Sequence, residues 1–550
     1  MERRAEKSEA GHGCVDMTES MNSVRGIPAA RRWIFIFLGS LAFLALTVPE
    51  NHTEAEDAYY YARMVESGCG AELFHRHHLL YLPVGRAIFR TARWAGYEGR
   101  ALPVLIAWSV IAGAASITLM ASLLRSSVRW AAAGLLFSYG FWRYSTTAEI
   151  YVPMLTLALG AWGCAVRADR RPGYFAGSVL LGGLALLLHL AAIPAVILGI
   201  PALYAMRGRG RYAWMHVLLT GLAVGAVYAG VRAWGPGTVV FHDAAAIRPG
   251  LASAGAWLGG GVAFGHTLVS GNFVFSWPAA SEWIQSLLPH RMLQEEAFMG
   301  RMAPAAARWA SPLTAAIALG LLARLSWTWG RGMGGRSVMT RHPGPATPDS
   351  MLPAASAWLA GSCGMALLFE PANPEMWIPV LPALWLVVGM GIARRGARDV
   401  RWMQAAVLGL WLHNAVGGMA LVGSAEGDYA RHKGGWLAAN AKKGEWILVA
   451  DSHSAITWLE YNAQARVLDA RFMDEDTWSL RLHREAPSRV WIAESVFHPP
   501  AAFLQRDRAA VDRWRKIADA LKSEARLAHD DHAGRVYEWF PGVEPKESTP

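Results

Sequence analysis

The chain has 550 residues, 53% of them hydrophobic and 17% charged, whereas about a quarter of a soluble globular protein is charged. That balance excludes an ordinary soluble enzyme, a disordered chain and the coiled-coil and collagen-like classes. The net charge of +10 is spread in small clusters between apolar runs, which suits cytoplasmic loops of a membrane protein and not a nucleic-acid surface. Cys14, Cys69, Cys164 and Cys363 lie far apart and do not make a disulfide framework.

A bilayer-spanning helix needs about 20 apolar residues. In chain order, a basic tail (residues 1–31) precedes an apolar run at 33–48. A cleaved signal peptide would carry a small-residue cleavage site, and none is present, so the run reads as a signal anchor. Further runs fall at 101–124, 130–142, 150–166, 174–188, 191–206, 213–231, 306–323, 353–369, 376–393 and 402–422. Together they predict an α-helical polytopic membrane protein with about 11 transmembrane helices. Residues 32–424 form the membrane domain, with external loops at 49–100 and 234–304. The second loop reads as a re-entrant or interfacial element.

Lys and Arg in short loops set orientation. With the N-terminus cytoplasmic, Arg125/Arg129, Arg167/Arg170/Arg171, Arg207/Arg209/Arg211, Arg324/Arg331/Arg336/Arg341 and Arg394/Arg395/Arg398/Arg401 all fall inside. The long loop at 49–100 is arginine-rich yet external, because long segments translocate largely regardless of charge. Beyond residue 424 the composition turns polar. Helical patterns at 428–441, 454–461 and 508–526 alternate with strand patterns at 446–450, 466–468, 490–493 and 535–540. This predicts a C-terminal α/β domain (425–550) with a largely parallel sheet, and an odd span count puts it outside. The Lys-poor, Ala/Arg/Gly-rich usage points to a GC-rich bacterium, so the expected location is the inner membrane with a periplasmic C-terminal domain.

Ionisable residues at membrane depth default to functional candidates, and here they gather on the external side. The first loop opens Pro49-Glu50-Asn51-His52-Thr53-Glu54-Ala55-Glu56-Asp57, then Ala58-Tyr59-Tyr60-Tyr61. In a helix Tyr60 and Tyr61 share the face of Asp57. A carboxylate beside aromatics suits a general base, a metal ligand or a sugar contact; a solvated interfacial helix with an acidic start is the plain alternative. Arg63 follows. The stretch His75-Arg76-His77-His78-Leu79-Leu80-Tyr81 supplies groups for a phosphate, a sugar or a metal, though its adjacent histidines lack zinc-type spacing, and simple interfacial packing is the plain alternative. Arg143 and Glu149 flank the second external turn, where Glu149 is a helix-start carboxylate paired with Arg143 or a sugar ligand. His189 marks a tight bend. Glu370 and Glu375 bound a proline-rich turn that is otherwise a capped reversal.

The order of Asp57, residues 75–81, Phe137-Ser138…Phe141-Trp142…Ala148-Glu149-Ile150-Tyr151 and Gly183-Leu184…His189 resembles the GT-C superfamily of membrane glycosyltransferases, nearest to the branch related to protein O-mannosyltransferases. The resemblance implies transfer of a sugar from a polyprenyl-phosphate-linked donor to an extracytoplasmic lipid, glycan or protein acceptor, with inversion. It implies a catalytic carboxylate in the first external loop, matching Asp57, with Glu54 and Glu56 as competitors. Arg63, Arg76, His77 and His78 are then phosphate-side candidates. A divalent cation stays a candidate cofactor, and membrane lipids are partners. A transporter or lipid flippase is the rival reading; it calls for midplane polar groups and related halves, and the acids sit at the external edge with no internal repeat.

Overall fold

The computed structural model describes residues 29–55, 57–234, 254–287, 293–333, 348–395, 397–499 and 508–541. The first apolar run forms α1 (Ala29–Leu46), and the external stretch after it folds into α2 (Ala58–Ser67) and α3 (Tyr81–Trp94). A helical body follows: α4 (Ala101–Leu123), α5 (Trp130–Phe137), α6 (Tyr139–Ser145), α7 (Tyr151–Arg167), α8 (Pro172–Leu188), α9 (Ile200–Met206) and α10 (Gly210–Trp234). Next come α11 (Ala254–Leu268), α12 (Pro278–Leu287), α13 (Gln294–Arg301), α14 (Ala305–Met333), α15 (Pro348–Phe369), α16 (Val380–Ile392), α17 (Ala397–Asn414) and the short α18 (Ala420–Val422).

Among the described residues, six segments are long and apolar enough to cross a bilayer: Ala101–Leu123, Gly210–Ala233, Ala305–Trp327, Met351–Phe369, Pro374–Ile392 and Ala397–Val422. Pro172–Leu188 and Leu190–Met206 are shorter apolar helices. The expected runs at 33–48 and 150–166 are helical over most of their length, and 130–142 is helical on either side of Ser138. The chain is a mostly helical, multi-pass membrane protein. Its surface fits that solvent: α10 turns Trp214, Leu218 and Leu222 outward, as a lipid-facing helix does. Trp162, Trp358 and Trp385 are fully buried between helices.

One expected span is interrupted. Ser138 leaves helical geometry (ψ 129°) between α5 and α6. Its hydroxyl donates to the Gly134 carbonyl (2.8 Å) and accepts from the Trp385 indole (2.9 Å), the local bonding by which serine competes with a helix ladder. Trp385 comes so near α5 that a side chain at Gly134 would meet its ring at 2.6 Å. Beyond the break, Tyr139 and Arg143 of α6 bond to the first external loop.

The C-terminal part contains α19 (Tyr429–Asn440), α20 (His453–Asn462), α21 (Glu475–Glu485), α22 (Glu494–Phe497) and α23 (Arg508–Lys522). Its strands are β1 (Trp446–Val449), β2 (Arg466–Asp469), β3 (Val490–Ala493), β4 (Arg526–Asp531) and β5 (Gly534–Trp539), in the order β2-β1-β3-β5-β4. β1 runs parallel to β2 and β3, while β5 is antiparallel to β3 and β4. The sheet is therefore mixed. The helix expected to reach Arg526 stops at Lys522, and Arg526–Asp531 is an edge strand. Its polar, mostly exposed residues carry none of the alternation by which strands are read. Apolar residues bury against both faces, Trp446, Leu448 and Trp514 on one and Ile447, Trp491 and Leu437 on the other.

Candidate active site

The first loop is bound to the helical body through Glu54. Its backbone is left-handed (φ 70°), uncommon for a non-glycine residue and maintained where surroundings over-determine it. Here they do. Tyr139 donates its hydroxyl to Glu54 Oε2 (2.5 Å), Asn272 Nδ2 donates to the same oxygen (3.3 Å), and His266 Nε2 donates to Oε1 (2.9 Å). His266 Nδ1 accepts from the Gly271 N–H (2.9 Å), which leaves the ring proton on Nε2 facing the carboxylate. The Arg143 guanidinium lies 3.9 Å away and donates to the Thr53 and Asn51 carbonyls. Burial pushes the Glu54 carboxyl up, but the His266 and Tyr139 hydrogen bonds and the Arg143 charge outweigh it and hold it below the usual range.

Asn414 positions the far wall of this network. Its Oδ1 accepts from the Ser270 N–H (2.8 Å), and its Nδ2 donates to the Phe137 (2.7 Å) and Leu268 (2.9 Å) carbonyls. Gly418 lies against Tyr139 so closely that a side chain there would meet the ring at 2.7 Å.

Asp57 stands apart from Glu54. It is the N-cap residue of α2, yet its carboxylate does not cap the helix, although aspartate is among the preferred capping residues. Instead Oδ2 accepts from the Tyr61 hydroxyl (2.9 Å), and Oδ1 lies 3.4 Å from Nε2 of His453 in α20. Its side chain is 40% exposed, against 10% for Glu54. Partial burial works to raise its pKa, and His453, Tyr61 and His75 together hold it below the usual carboxylate value.

Glu149 is 1% exposed, and its Oε1 has no hydrogen-bond partner among the described residues. Burial first, then the charges of Glu375 and Asp57, push its carboxyl well above the ordinary range. Glu149 is therefore within electrostatic reach of both Glu375 and Asp57. Glu375 accepts from the hydroxyls of Tyr144 (3.4 Å) and Tyr151 (3.5 Å). The pairing expected between Glu149 and Arg143 is not formed, because Arg143 is committed to the Glu54 loop. Aromatic rings wall the same region: Tyr61 packs edge-on to Tyr81 (5.0 Å) and to His78 (5.5 Å), and Tyr81 stacks on Trp108 (5.1 Å). Tyr81 Oη and both ring nitrogens of His78 are buried without partners among the described residues.

The histidines form a column, His75 on His78 (4.0 Å) and His78 facing His189 (6.2 Å). Main-chain bonds join this loop to the bend after α8, from the Leu190 N–H to the His77 carbonyl (3.1 Å) and from the Leu80 N–H to the Leu187 carbonyl (2.9 Å). Burial lowers His75 to about 4, His77 below its usual value and His78 further still. At neutral pH these imidazoles are uncharged, and the guanidinium of Arg76, which donates to His77 Nε2 (3.0 Å), is the loop's cation.

Other candidates lie elsewhere. Tyr60 makes no bond to Asp57; it packs on Tyr61 and under Arg63. Arg63 is paired with Glu460 of α20 (2.9 Å). Glu370 sits on the exposed rim and accepts from Asn373 Nδ2 (3.0 Å). His189 caps the next turn, its Nδ1 accepting from the Ala191 N–H (2.9 Å). Glu56 lies outside the described residues. Among the described residues, no group of three or more His, Cys, Asp or Glu is placed to hold a metal ion. The sequence reading passed over His453, His266, Asn272 and Tyr139. Each is remote in sequence from the first loop, and no spacing rule connects them to it.

No protein-family model matches the sequence, and no curated protein matches it. Solved structures do. ArnT from Cupriavidus metallidurans bound to undecaprenyl phosphate superposes with a TM-score of 0.53 at 14% identity, covering 93% of this chain and 98% of that one. The apo state of ArnT gives 0.53 at 13% identity with the same coverage. At such identities the likeness establishes a shared fold along nearly the whole of both chains.

Proposed function

We propose that the chain is a GT-C-type membrane glycosyltransferase that moves a sugar from a polyprenyl-phosphate-linked donor to an extracytoplasmic hydroxyl. The observation that carries the reading is Asp57: a half-exposed carboxylate, held by two side chains and spared from helix capping, beside Tyr61 and within electrostatic reach of Glu149. The fold is shared with ArnT, whose structure holds undecaprenyl phosphate, and the residue pattern around Asp57, Glu149 and His189 resembles the GT-C superfamily. The carboxylates cluster at loops and helix starts, not at the midpoints of spans, which disfavours the transporter reading.

Asp57 acts as general base. It takes the proton from the acceptor hydroxyl while the acceptor oxygen attacks the anomeric carbon; the bond from that carbon to the phosphate oxygen breaks, and the electron pair leaves on the polyprenyl phosphate. A single displacement inverts the anomeric centre. Each Asp57 oxygen has two lone-pair directions, so Tyr61 and His453 leave acceptor capacity for the incoming proton. Arg76 with His75, His77 and His78 meets the departing phosphate. Glu149 and Glu375, with Tyr81, bind hydroxyls of the sugar or the acceptor. Glu54 and Arg143 hold the loop and do not react. In this reading the chain has about 11 spans, its N-terminus is cytoplasmic, and residues 425–550 form an extracytoplasmic domain.

The test uses the full chain in nanodiscs with a panel of undecaprenyl-phosphate-linked sugars and a panel of lipid, glycan and peptide hydroxyl acceptors, following release of free undecaprenyl phosphate by mass spectrometry. Wild type releases it from at least one donor, and Asp57→Asn does not. Failure to bind undecaprenyl phosphate at all would reject the reading.

A further inference from the structure

The contact between the two parts of the chain is built around the proposed base. α20 lies along α2, joined at three levels. His453 reaches Asp57 at the start of α2 (3.4 Å), Glu460 pairs with Arg63 (2.9 Å), and the Tyr461 hydroxyl donates to Glu66 (2.9 Å) near its end. Arg100 closes the last level, pairing with Glu66 (2.9 Å) and stacking over the Tyr461 ring (3.5 Å). At the other end the His52 N–H donates to Asp428, which caps α19 (3.3 Å). Ser452 caps α20 through the Ala455 N–H (3.3 Å), and this places His453 at the first helical position, over Asp57.

From this arrangement we infer that His453 is a positioning residue for Asp57, so that the C-terminal α/β part completes the catalytic centre in addition to covering it. The inference rests on the glycosyltransferase reading for its catalytic meaning, though the coupling of the two residues does not depend on it. The lower two levels already dock α20. An ion pair as exposed as His453 and Asp57 (48% and 40%) contributes little to stability, because water screens it. What the contact does is geometric and electrostatic. With Tyr61 on Oδ2 and His453 on Oδ1, the carboxylate plane is fixed from two elements far apart in sequence. The groups facing Asp57 are Tyr60 and Tyr61 from α2, His75 from the loop, Glu149 at the start of α7, Tyr81 from α3, Tyr151 from α7 and His453 from α20. Of these, His453 with Tyr61 and His75 favours the ionised carboxylate of Asp57.

The experiment titrates Asp57 directly in the full chain in nanodiscs. Infrared difference spectra of protein carrying labelled aspartate are recorded against pH, and the Asp57 band is identified by its absence from Asp57→Asn. In His453→Ala the Asp57 titration moves up by about half a pH unit, the scale of a partly screened ion pair. His453→Gln, whose amide still donates, moves it less. With a donor in hand, turnover at pH 7.5 falls roughly 10- to 100-fold, the scale of a misplaced reacting group, while affinity for undecaprenyl phosphate changes by less than about twofold and the acid limb shifts with the Asp57 titration. An Asp57 titration unchanged in both variants overturns the proposal. If His453→Ala does not fold, His453→Gln alone decides, since an unmoved titration together with unmoved turnover rejects positioning. A shifted titration in a protein that releases no polyprenyl phosphate from any donor supports the coupling and counts against the glycosyltransferase reading alone.

Discussion

Replacing Glu54 and Asp57 one at a time separates a carboxylate that holds the fold from one that does chemistry. Asp57→Asn keeps the shape and the Tyr61 contact but removes the basic oxygen. Loss of a general base costs about 100- to 10,000-fold in rate. Stability changes by less than about 0.5 kcal/mol, because the side chain is 40% exposed and caps nothing. Glu54→Ala is the opposite case. It removes the acceptor for Tyr139, Asn272 and His266 and leaves the fully buried Arg143 guanidinium without its carboxylate. Breaking a buried pair in this way costs about 3–5 kcal/mol, and the substituted alanine would still have to adopt the left-handed backbone. Thermal melting in detergent and turnover in nanodiscs read the two effects. The reasoning is refuted if Glu54→Ala melts with wild type, or if Asp57→Asn transfers sugar at the wild-type rate. Activity retained in Asp57→Asn but lost in Glu56→Gln would move the base by one residue.

Four further outcomes are expected. Glu149→Gln mimics the protonated carboxyl that burial and its acidic neighbours favour; a raised folded-state pKa gives stability that is complete below the unfolded value near 4.5 and fades as pH rises, so the variant melts higher than wild type at pH 7.5 and equally at pH 4. Gly418→Ala pushes on the Tyr139 ring at 2.7 Å and destabilises by about 1–3 kcal/mol, measured by melting, with turnover falling as Glu54 loosens. Glu66 is held below its usual 4.5 because Arg100, the Ala101 N–H and Tyr461 outweigh its burial; its contribution to docking α20 is present above about pH 4.5 and lost as pH falls through its folded value, so limited proteolysis between the two parts rises on acidification in wild type and is already high at pH 7 in Glu66→Ala. Reporter fusions after Arg170, Arg211 and Arg398 read cytoplasmic and one after Gly427 extracytoplasmic; a cytoplasmic C-terminal part would put the acids in different compartments and dismantle the site.

Features that are local or periodic were legible in the amino-acid sequence. Apolar runs became helices because a chain in lipid must satisfy its backbone internally, and β1, β2, β3 and β5 fell where apolar segments alternate with helical ones. Asp57 with Tyr61 four residues on was legible because helical spacing brings them together. Packing settled the rest. That Arg143 answers the Glu54 loop and not Glu149 was not legible, nor was the break at Ser138 just before it, a competition between a serine hydroxyl and a helix ladder that hydropathy does not register. The histidines of residues 75–78 were legible as polar candidates but not their state, since burial lowers their pKa values and residue type alone does not show burial. His266, Asn272 and His453 reach the first loop across roughly two hundred to four hundred residues of chain, and contacts of that kind leave no spacing in a single sequence, because only the folded chain brings their ends together.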